Sequence, residues 1–186
     1  MPSEGHVDAE EERLAKESAA EGSGRGRPRK ASVQLEVPFH DIDSQRVVWH
    51  GHYFKYLEIA RSALLRECGL DRPDLAYEGH TLVVVESSCR HSHPLRYRDR
   101  FRVDAWFKEI DSRIVVAYEI HNLDAGCRAA RARTVLVTLD PEGKMLYRTP
   151  PWLLAPLRRM APQEAASERP LAGEGSGGAL PPEPMR

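Results

Sequence analysis

The sequence has few cysteines, almost no net charge and no long apolar run, and each shortage excludes a class of protein. Three cysteines among 186 residues, without a repeated spacing, argue against a disulfide framework and favour a reducing compartment. A net charge of -1 argues against a broadly basic nucleic-acid binder. No apolar stretch approaches the roughly 20 residues that span a bilayer, and the N-terminus lacks a signal-peptide pattern. The sequence therefore predicts a cytoplasmic protein that does not enter a membrane.

The two ends of the chain differ in composition from its middle. Residues 1–32 are first acidic and then rich in Gly and Arg, while residues 160–186 are rich in Pro, Gly, Ser and Glu. Such segments bury too little apolar surface to offset the entropy lost on ordering. We therefore predict a disordered tail at each end and one globular domain over residues 33–159.

Within this domain, the apolar periodicity predicts one strand, one long helix and then four strands. Residues 33–39 alternate as a strand that would place Val33, Leu35, Val37 and Phe39 on one face. Helical spacing begins near His52, and Gly69 is the expected stop. The remaining strands are expected at residues 82–93, 101–110, 113–121 and 127–139. This order predicts an α+β fold with an open sheet edge, and hence at least a dimer.

The connection between the first strand and the helix, residues 39–53, holds most of the chemically capable side chains. It contains two carboxylates and three histidines immediately before a helix N-terminus. Backbone N–H groups at a helix N-terminus have no partner within the helix and polarise a carbonyl placed against them. A carboxylate that faces the same point can attack that carbonyl or activate water. An Asp at such a position is more often a cap or an Asx turn, and Asp41 in particular is interpreted as structural.

The spacing of this segment resembles a known family signature. Asp41-Ile-Asp43, Val47-Val-Trp-His50, Tyr53 and Glu58-Ile-Ala-Arg61 resemble the motif of hotdog-fold acyl-CoA thioesterases of the 4-hydroxybenzoyl-CoA thioesterase and YbgC group. The resemblance implies a five-stranded antiparallel sheet wrapped around a long central helix. It also implies hydrolysis of an acyl-CoA or acyl carrier protein thioester to a carboxylic acid and a free thiol. Homodimers or homotetramers are expected, with no metal and no cofactor beyond the coenzyme A of the substrate.

The resemblance also assigns roles to single residues. Asp43 matches the catalytic carboxylate, acting as nucleophile or as general base. His50 matches the residue whose backbone N–H polarises the thioester carbonyl, and its imidazole is a second possible aid. Gln45 and Arg46 replace a small or Gly-containing turn, although Gly adopts backbone angles that Gln and Arg avoid.

Three aromatic residues and a second carboxylate complete the expected site. Trp49 and Tyr53 match positions that line the acyl pocket, and Phe39 stands where many members have Tyr. Phe39 cannot donate a hydrogen bond, so any role of that hydroxyl is absent here. Glu58 is the alternative catalytic carboxylate, as in a different hotdog subclass, although an i,i+3 ion pair with Arg61 is the simpler explanation.

Other interpretations of these residues remain open. The pairs His50/His52 and His91/His93 suggest a metal site, but no third ligand has a diagnostic spacing, so we predict none. The basic run 25–30 resembles an AT-hook, which inserts into the minor groove of DNA. A solvated linker explains a single copy better. The remaining alternative is a hotdog domain that binds an acyl group without cleaving it.

Overall fold

The computed structural model describes residues 28–70 and 79–161. The predicted disordered tails, 1–32 and 160–186, lie almost wholly outside these ranges, so the domain boundaries stay predictions. The first half of the AT-hook-like basic run, residues 25–27, is likewise outside the described residues.

The described chain forms one antiparallel sheet and two α-helices, in the order that the periodicity predicts apart from the last helix. All strand pairings are antiparallel, and the spatial order of the strands is β1-β3-β4-β5-β2. This confirms the predicted α+β fold with a five-stranded sheet. The elements are β1 (Ala31–Glu36), α1 (His52–Glu67), β2 (Thr81–His91), β3 (Arg100–Glu109), β4 (Ile114–Asn122), β5 (Cys127–Leu139) and α2 (Pro151–Leu157).

The core lies between α1 and one face of the sheet. Alternation along β3 turns every second side chain toward the helix, and Phe101, Val103, Ala105 and Phe107 are all fully buried, as predicted. The helix ends where expected, because Gly69 takes the left-handed φ of 76° that suits a residue just beyond a helix. The helical residues that complete the core are Tyr53, Tyr56, Leu57, Ala60 and Leu64.

Strand β1 ends earlier than its sequence pattern predicts. It stops at Glu36, and residues Phe39–Asp41 instead form a turn of 3₁₀-helix. Pro38 precedes this turn and has no N–H to donate to a neighbouring strand, so pairing cannot continue through it. Phe39 is 76% exposed and lies outside the strand, so the prediction that it shares one strand face with Val33, Leu35 and Val37 was wrong.

Helix α2 was not predicted at all. It begins with Pro151, whose missing N–H costs nothing at the first helical position, and it buries Leu153 and Leu157. Seven residues are too few for a 3.6-residue period to stand out from the surrounding pattern. The segment packs at the sheet end that carries the β3–β4 hairpin, where the Thr149 N–H donates to the Asp111 carbonyl at 2.6 Å.

Some apolar side chains of the described chain are left uncovered. Strand β2 forms one edge of the sheet, and its Val85 is 56% exposed. On α1, Phe54 and Ile59 are 41% and 39% exposed. Within the two described ranges, neither helix has the length and apolar character needed to cross a bilayer.

Candidate active site

The loop between β1 and α1 is a small closed hairpin. Ile42 and Val48 form a β-bridge, and the Asp43 N–H donates to the Val47 carbonyl at 2.9 Å. The Arg46 N–H donates back to the Asp43 carbonyl at 3.0 Å, and Arg46 has a left-handed φ of 62°. Arg46 thus adopts the backbone conformation that Gly favours, so the loop closes as a tight turn at some cost in strain.

Asp41 is a buried structural carboxylate. Its side chain is 0% exposed and accepts a hydrogen bond from the Tyr56 hydroxyl at 2.6 Å. Three basic groups surround it, with Lys55 Nζ at 3.4 Å and nitrogens of His52 and His40 at 3.5 Å. Burial opposes the charge, but the Tyr56 hydroxyl, His52 and Lys55 together lower the pKa of Asp41 below its ordinary value. These contacts confirm the structural role predicted for Asp41.

Asp43, two residues later, is held by its own loop rather than by side chains. Its Oδ1 accepts a hydrogen bond from the Gln45 N–H at 2.7 Å and a longer one from the Val47 N–H at 3.5 Å. This is the Asx-turn arrangement that Asp residues adopt in loops. The two backbone donors fix the orientation of the carboxylate, and no described residue bonds to Oδ2. An oriented carboxylate with one open oxygen can still act as a nucleophile or base.

The start of α1 presents backbone donors that nothing in the described ranges satisfies. The His52 N–H donates to the Trp49 carbonyl at 2.9 Å, but the N–H groups of His50 and Gly51 have no acceptor among the described residues. Donors at a helix N-terminus also carry the positive end of the helix dipole. Their position therefore suits an oxyanion or a polarised carbonyl oxygen.

Gly51 allows Trp49 to fold back over the helix start. A Cβ on Gly51 would lie 2.1 Å from Cζ3 of Trp49, so only Gly admits this ring position. The indole ring also contacts the imidazoles of His50 and His52, with ring centroids 4.9 and 5.3 Å apart. Trp49 therefore shapes the surface beside the unpaired N–H groups while remaining half exposed.

An open cavity of about 250 Å³ lies beside the helix start. At its wall, Tyr53 Oη accepts the Leu95 N–H at 3.2 Å, and burial raises the pKa of Tyr53. The ring of His91 meets Tyr53 edge-on, with centroids 4.4 Å apart. Burial, and then the nearby charge of His50, lower the pKa of His91, so its imidazole is neutral at pH 7. The lining residues are Val47, Val48, His50, Tyr53, His91, Ser92, His93 and Pro94.

Only two of the residues predicted from the sequence line this cavity. His50 and Tyr53 do so, whereas Asp43 is not among the lining residues. The other three predicted residues are also outside it. Phe39 meets the ring of Tyr97, Trp49 covers Gly51, and Glu58 forms the expected ion pair with Arg61.

Sequence reasoning missed the part of the cavity that follows β2. Pairing of His91 with Ala130 carries the end of β2 toward the helix start, and the N–H groups of Ser92 and His93 both bond to the Ala129 carbonyl. The His-x-His pattern was noticed, but as a metal signal. Across residues 28–70 and 79–161 no three His, Cys, Asp or Glu side chains cluster as metal ligands would.

The long helix, the five-stranded sheet and the site at the helix start together define a hotdog-fold domain. Residues 37–157 match the Thioesterase-like superfamily, and the chain belongs to this family. The Synechocystis sp. protein named "Putative esterase sll0410" is 33% identical over 121 residues, covering 64% of this chain and 73% of its own. The Bacillus subtilis protein named "Putative acyl-CoA thioesterase YneP" is 26% identical over 110 residues, covering 59% of this chain and 79% of its own.

Solved structures agree on the fold. The crystal structure of Slr0204, a 1,4-dihydroxy-2-naphthoyl-CoA thioesterase from Synechocystis, superposes with a TM-score of 0.63 and 21% identity. The match covers 69% of this chain and 96% of that one. At this identity the likeness bears on the architecture alone.

Proposed function

We propose that this protein is an acyl-CoA thioesterase of the 4-hydroxybenzoyl-CoA thioesterase and YbgC group, working in the cytoplasm. The observation that carries the proposal is the pair of N–H groups on His50 and Gly51, which donate to no acceptor among the described residues. His50 lines the cavity, and the Asp43 carboxylate stands in the loop that leads to it. Membership of the Thioesterase-like superfamily supports a thioester as the bond that is cleaved. The name of the Bacillus subtilis relative supports coenzyme A as the carrier.

The proposed chemistry uses the fixed dipoles of the helix start. The thioester carbonyl oxygen rests against the N–H groups of His50 and Gly51, which stabilise the negative charge that develops when the carbonyl carbon is attacked. Asp43 either attacks this carbon or activates a water that does so. The carbon–sulfur bond then breaks, and the products are a carboxylic acid and a free thiol. The scheme uses no metal and no additional cofactor.

The acyl group is proposed to lie along the aromatic side chains near the helix start. Tyr53 lines the cavity, and Trp49 flanks the carbonyl site through its contact with Gly51. Phe39 is proposed to contact the acyl or carrier portion at the exposed rim, where its ring already meets Tyr97. Glu58 is the alternative carboxylate, but its ion pair with Arg61 argues for Asp43.

We further propose that the protein works as a homodimer or homotetramer. Val85 on the edge strand β2 and Phe54 and Ile59 on α1 are exposed apolar side chains that a second copy could cover. An edge strand with unpaired backbone groups favours pairing with another chain. Light scattering after size-exclusion chromatography tests this, and a strictly monomeric protein would contradict it.

The first experiment measures thiol release from short, long and aromatic acyl-CoAs and from acyl carrier protein thioesters. Asp43→Asn keeps the shape of the side chain and much of its turn-closing ability but removes the negative charge. We expect turnover to fall by about 10²-fold or more, because general base or nucleophilic catalysis is lost. Glu58→Gln is the matched control, since it also neutralises a carboxylate and is expected to retain activity.

One observation favours a second candidate function. The Asp43 carboxylate lies outside the cavity lining, which is compatible with a domain that binds an acyl group without cleaving it. Retained binding of acyl-CoA without thiol release from any substrate would support this second function. Loss of turnover in Glu58→Gln but not in Asp43→Asn would instead assign the chemistry to Glu58.

A further inference from the structure

We propose that His91 is a second catalytic residue, whose imidazole carries a proton from the attacking water to the departing sulfur. This inference rests on the proposed thioesterase function and deepens it. It follows from the cavity itself, because the groups in its wall that exchange protons near neutral pH are imidazoles, and Asp43 is not in that wall.

Among the described histidines that line the cavity, His91 is the one that belongs to a strand. It ends strand β2, and its pairing with Ala130 fixes the backbone at that point. The edge-on contact with Tyr53, at 4.4 Å between ring centroids, sets the plane of the imidazole. Nδ1 lies 4.0 Å from Sγ of Cys89, so Nε2 is the nitrogen left to exchange a proton with a molecule in the cavity.

The two other histidines of the cavity are placed less well for this step. The ring of His50 packs against the Trp49 indole at 4.9 Å, and this residue already presents its N–H to the carbonyl oxygen. His93 lies beyond the end of β2, where its backbone N–H bonds to the Ala129 carbonyl. His91 lines the same cavity as His50 but belongs to strand β2, so its imidazole is separate from the backbone donors at the helix start.

The surroundings of His91 keep it ready to accept a proton. The titratable groups that face it are Tyr53 on α1, His50 at the helix start, Cys89 on its own strand and His93 just beyond. Burial raises the pKa of Tyr53 and raises that of Cys89 to about 11, so both are neutral near pH 7. No described carboxylate lies against the imidazole to hold it protonated. A neutral imidazole is the form that accepts a proton from water.

The step balances as an ordinary hydrolysis. Asp43 acts here as the nucleophile: its oxygen bonds to the acyl carbon as the carbon–sulfur bond breaks, and water then bonds to the acyl carbon of this anhydride as the bond to the Asp43 oxygen breaks. One water proton passes to Nε2 of His91. The electron pair of the broken carbon–sulfur bond has left with the sulfur as a thiolate. The imidazolium gives its proton to this thiolate. The second proton is lost when the carboxylic acid ionises.

The test compares His91→Gln with His121→Gln in the full-length protein. His121 lies on β4, where it approaches Glu119 and takes no part in the cavity, so its variant controls for loss of a histidine. We expect His91→Gln to lower kcat about 10²-fold with little change in KM, and to remove the fall in activity at acid pH that protonation of His91 causes. His121→Gln should match the parent protein in both respects.

A second variant separates proton transfer from packing. His91→Ala opens space beside Tyr53, and added imidazole should restore part of its kcat in proportion to the imidazole concentration. A purely structural role for His91 would give no such rescue. Unchanged kcat in folded His91→Gln, or a persistent acid limb in its pH profile, would overturn the inference.

Failure of this inference and failure of the proposed function are distinguishable. If Asp43→Asn is inactive while His91→Gln equals the parent protein, the role of His91 alone is wrong. If the parent protein releases no thiol from any substrate, both proposals are wrong.

Discussion

Asp41 and Asp43 stand two residues apart in one loop, yet the fold gives them opposite environments. Asp41 is fully buried and is contacted by four side chains, including the Tyr56 hydroxyl. Asp43 is partly exposed and is bonded by backbone N–H groups of its own turn. In the first arrangement, the carboxylate holds α1 against the loop through its contacts with helix side chains. The second orients a carboxylate and leaves one oxygen open, which is what a nucleophile or base requires.

The largest expected change in stability comes from Asp41→Ala. The substitution leaves the Tyr56 hydroxyl buried without its acceptor, and we expect a loss of roughly 2–3 kcal/mol in the free energy of unfolding. Asp43→Ala loses only an Asx turn and should cost about 1 kcal/mol or less. Urea unfolding of both variants measures the difference, and equal losses would remove the distinction between the two carboxylates.

A double-mutant cycle sharpens this prediction. Tyr56→Phe removes the hydroxyl that Asp41 would leave unsatisfied. Asp41→Ala should therefore cost less in a Tyr56→Phe background than alone, because the two side chains share one hydrogen bond. If the two losses in the free energy of unfolding are strictly additive, the hydrogen bond between Asp41 and Tyr56 is not the source of the stability that Asp41 contributes.

The pH dependence of stability should also depend on Asp41. Its pKa in the folded protein is lowered below the ordinary value of 3.8, so the folded state releases this proton more readily than the unfolded state. The contribution to stability is present above that ordinary value and is lost as the pH falls through the lowered one. The free energy of unfolding of the parent protein should therefore exceed that of Asp41→Asn at neutral pH, and this difference should disappear below about pH 4. Urea unfolding of both proteins between neutral pH and about pH 3 tests this, and a constant difference would contradict it.

Backbone strain at Arg46, in the same turn as Asp43, predicts a smaller change in the free energy of unfolding. This change should be a gain and not a loss. Arg46 holds a left-handed φ of 62°, so Arg46→Gly should relieve strain and raise the free energy of unfolding by roughly 0.5–1 kcal/mol. Arg113→Gly is the matched control, since Arg113 has no left-handed φ and should gain nothing. Scanning calorimetry compares the two, and destabilisation by Arg46→Gly would show that its side chain contributes more than the turn costs.

The smallest expected effect on stability is that of Gly51→Ala. The added Cβ meets the ring of Trp49, and because that ring is half exposed it can swing away at a cost of about 1 kcal/mol or less. The NMR signal of the Trp49 indole N–H should shift, and binding at the helix start should weaken. Gly126→Ala, where no atom lies within 4 Å of the new Cβ, should leave that signal unmoved.

The parts of the fold that were predictable are those with a local repeating signal. Helix α1 and its stop at Gly69 follow from a 3.6-residue period and one left-handed residue, and the buried face of β3 follows from strict alternation. Helix α2 and the early end of β1 were missed, since one is short and the other depends on a single proline.

The candidate site was predictable only in part. The loop and the helix start are contiguous in sequence, so Asp43, His50 and Tyr53 could be proposed together from their spacing. The opposite wall of the cavity, residues 91–94, lies some forty positions further along the chain, and only the pairing of β2 with β5 brings it there. Their spacing alone suggested a metal site, which the geometry of the described residues does not form.

The sequence by itself determined the order of elements, the face of α1 and β3 that enters the core, and the loop that carries the carboxylates. These properties depend on interactions between residues that are near neighbours along the chain. The tertiary structure decided which carboxylate is buried, where Trp49 rests, and which histidines line the cavity. Those outcomes depend on the packing of segments that are distant in sequence, and no local pattern records such contacts.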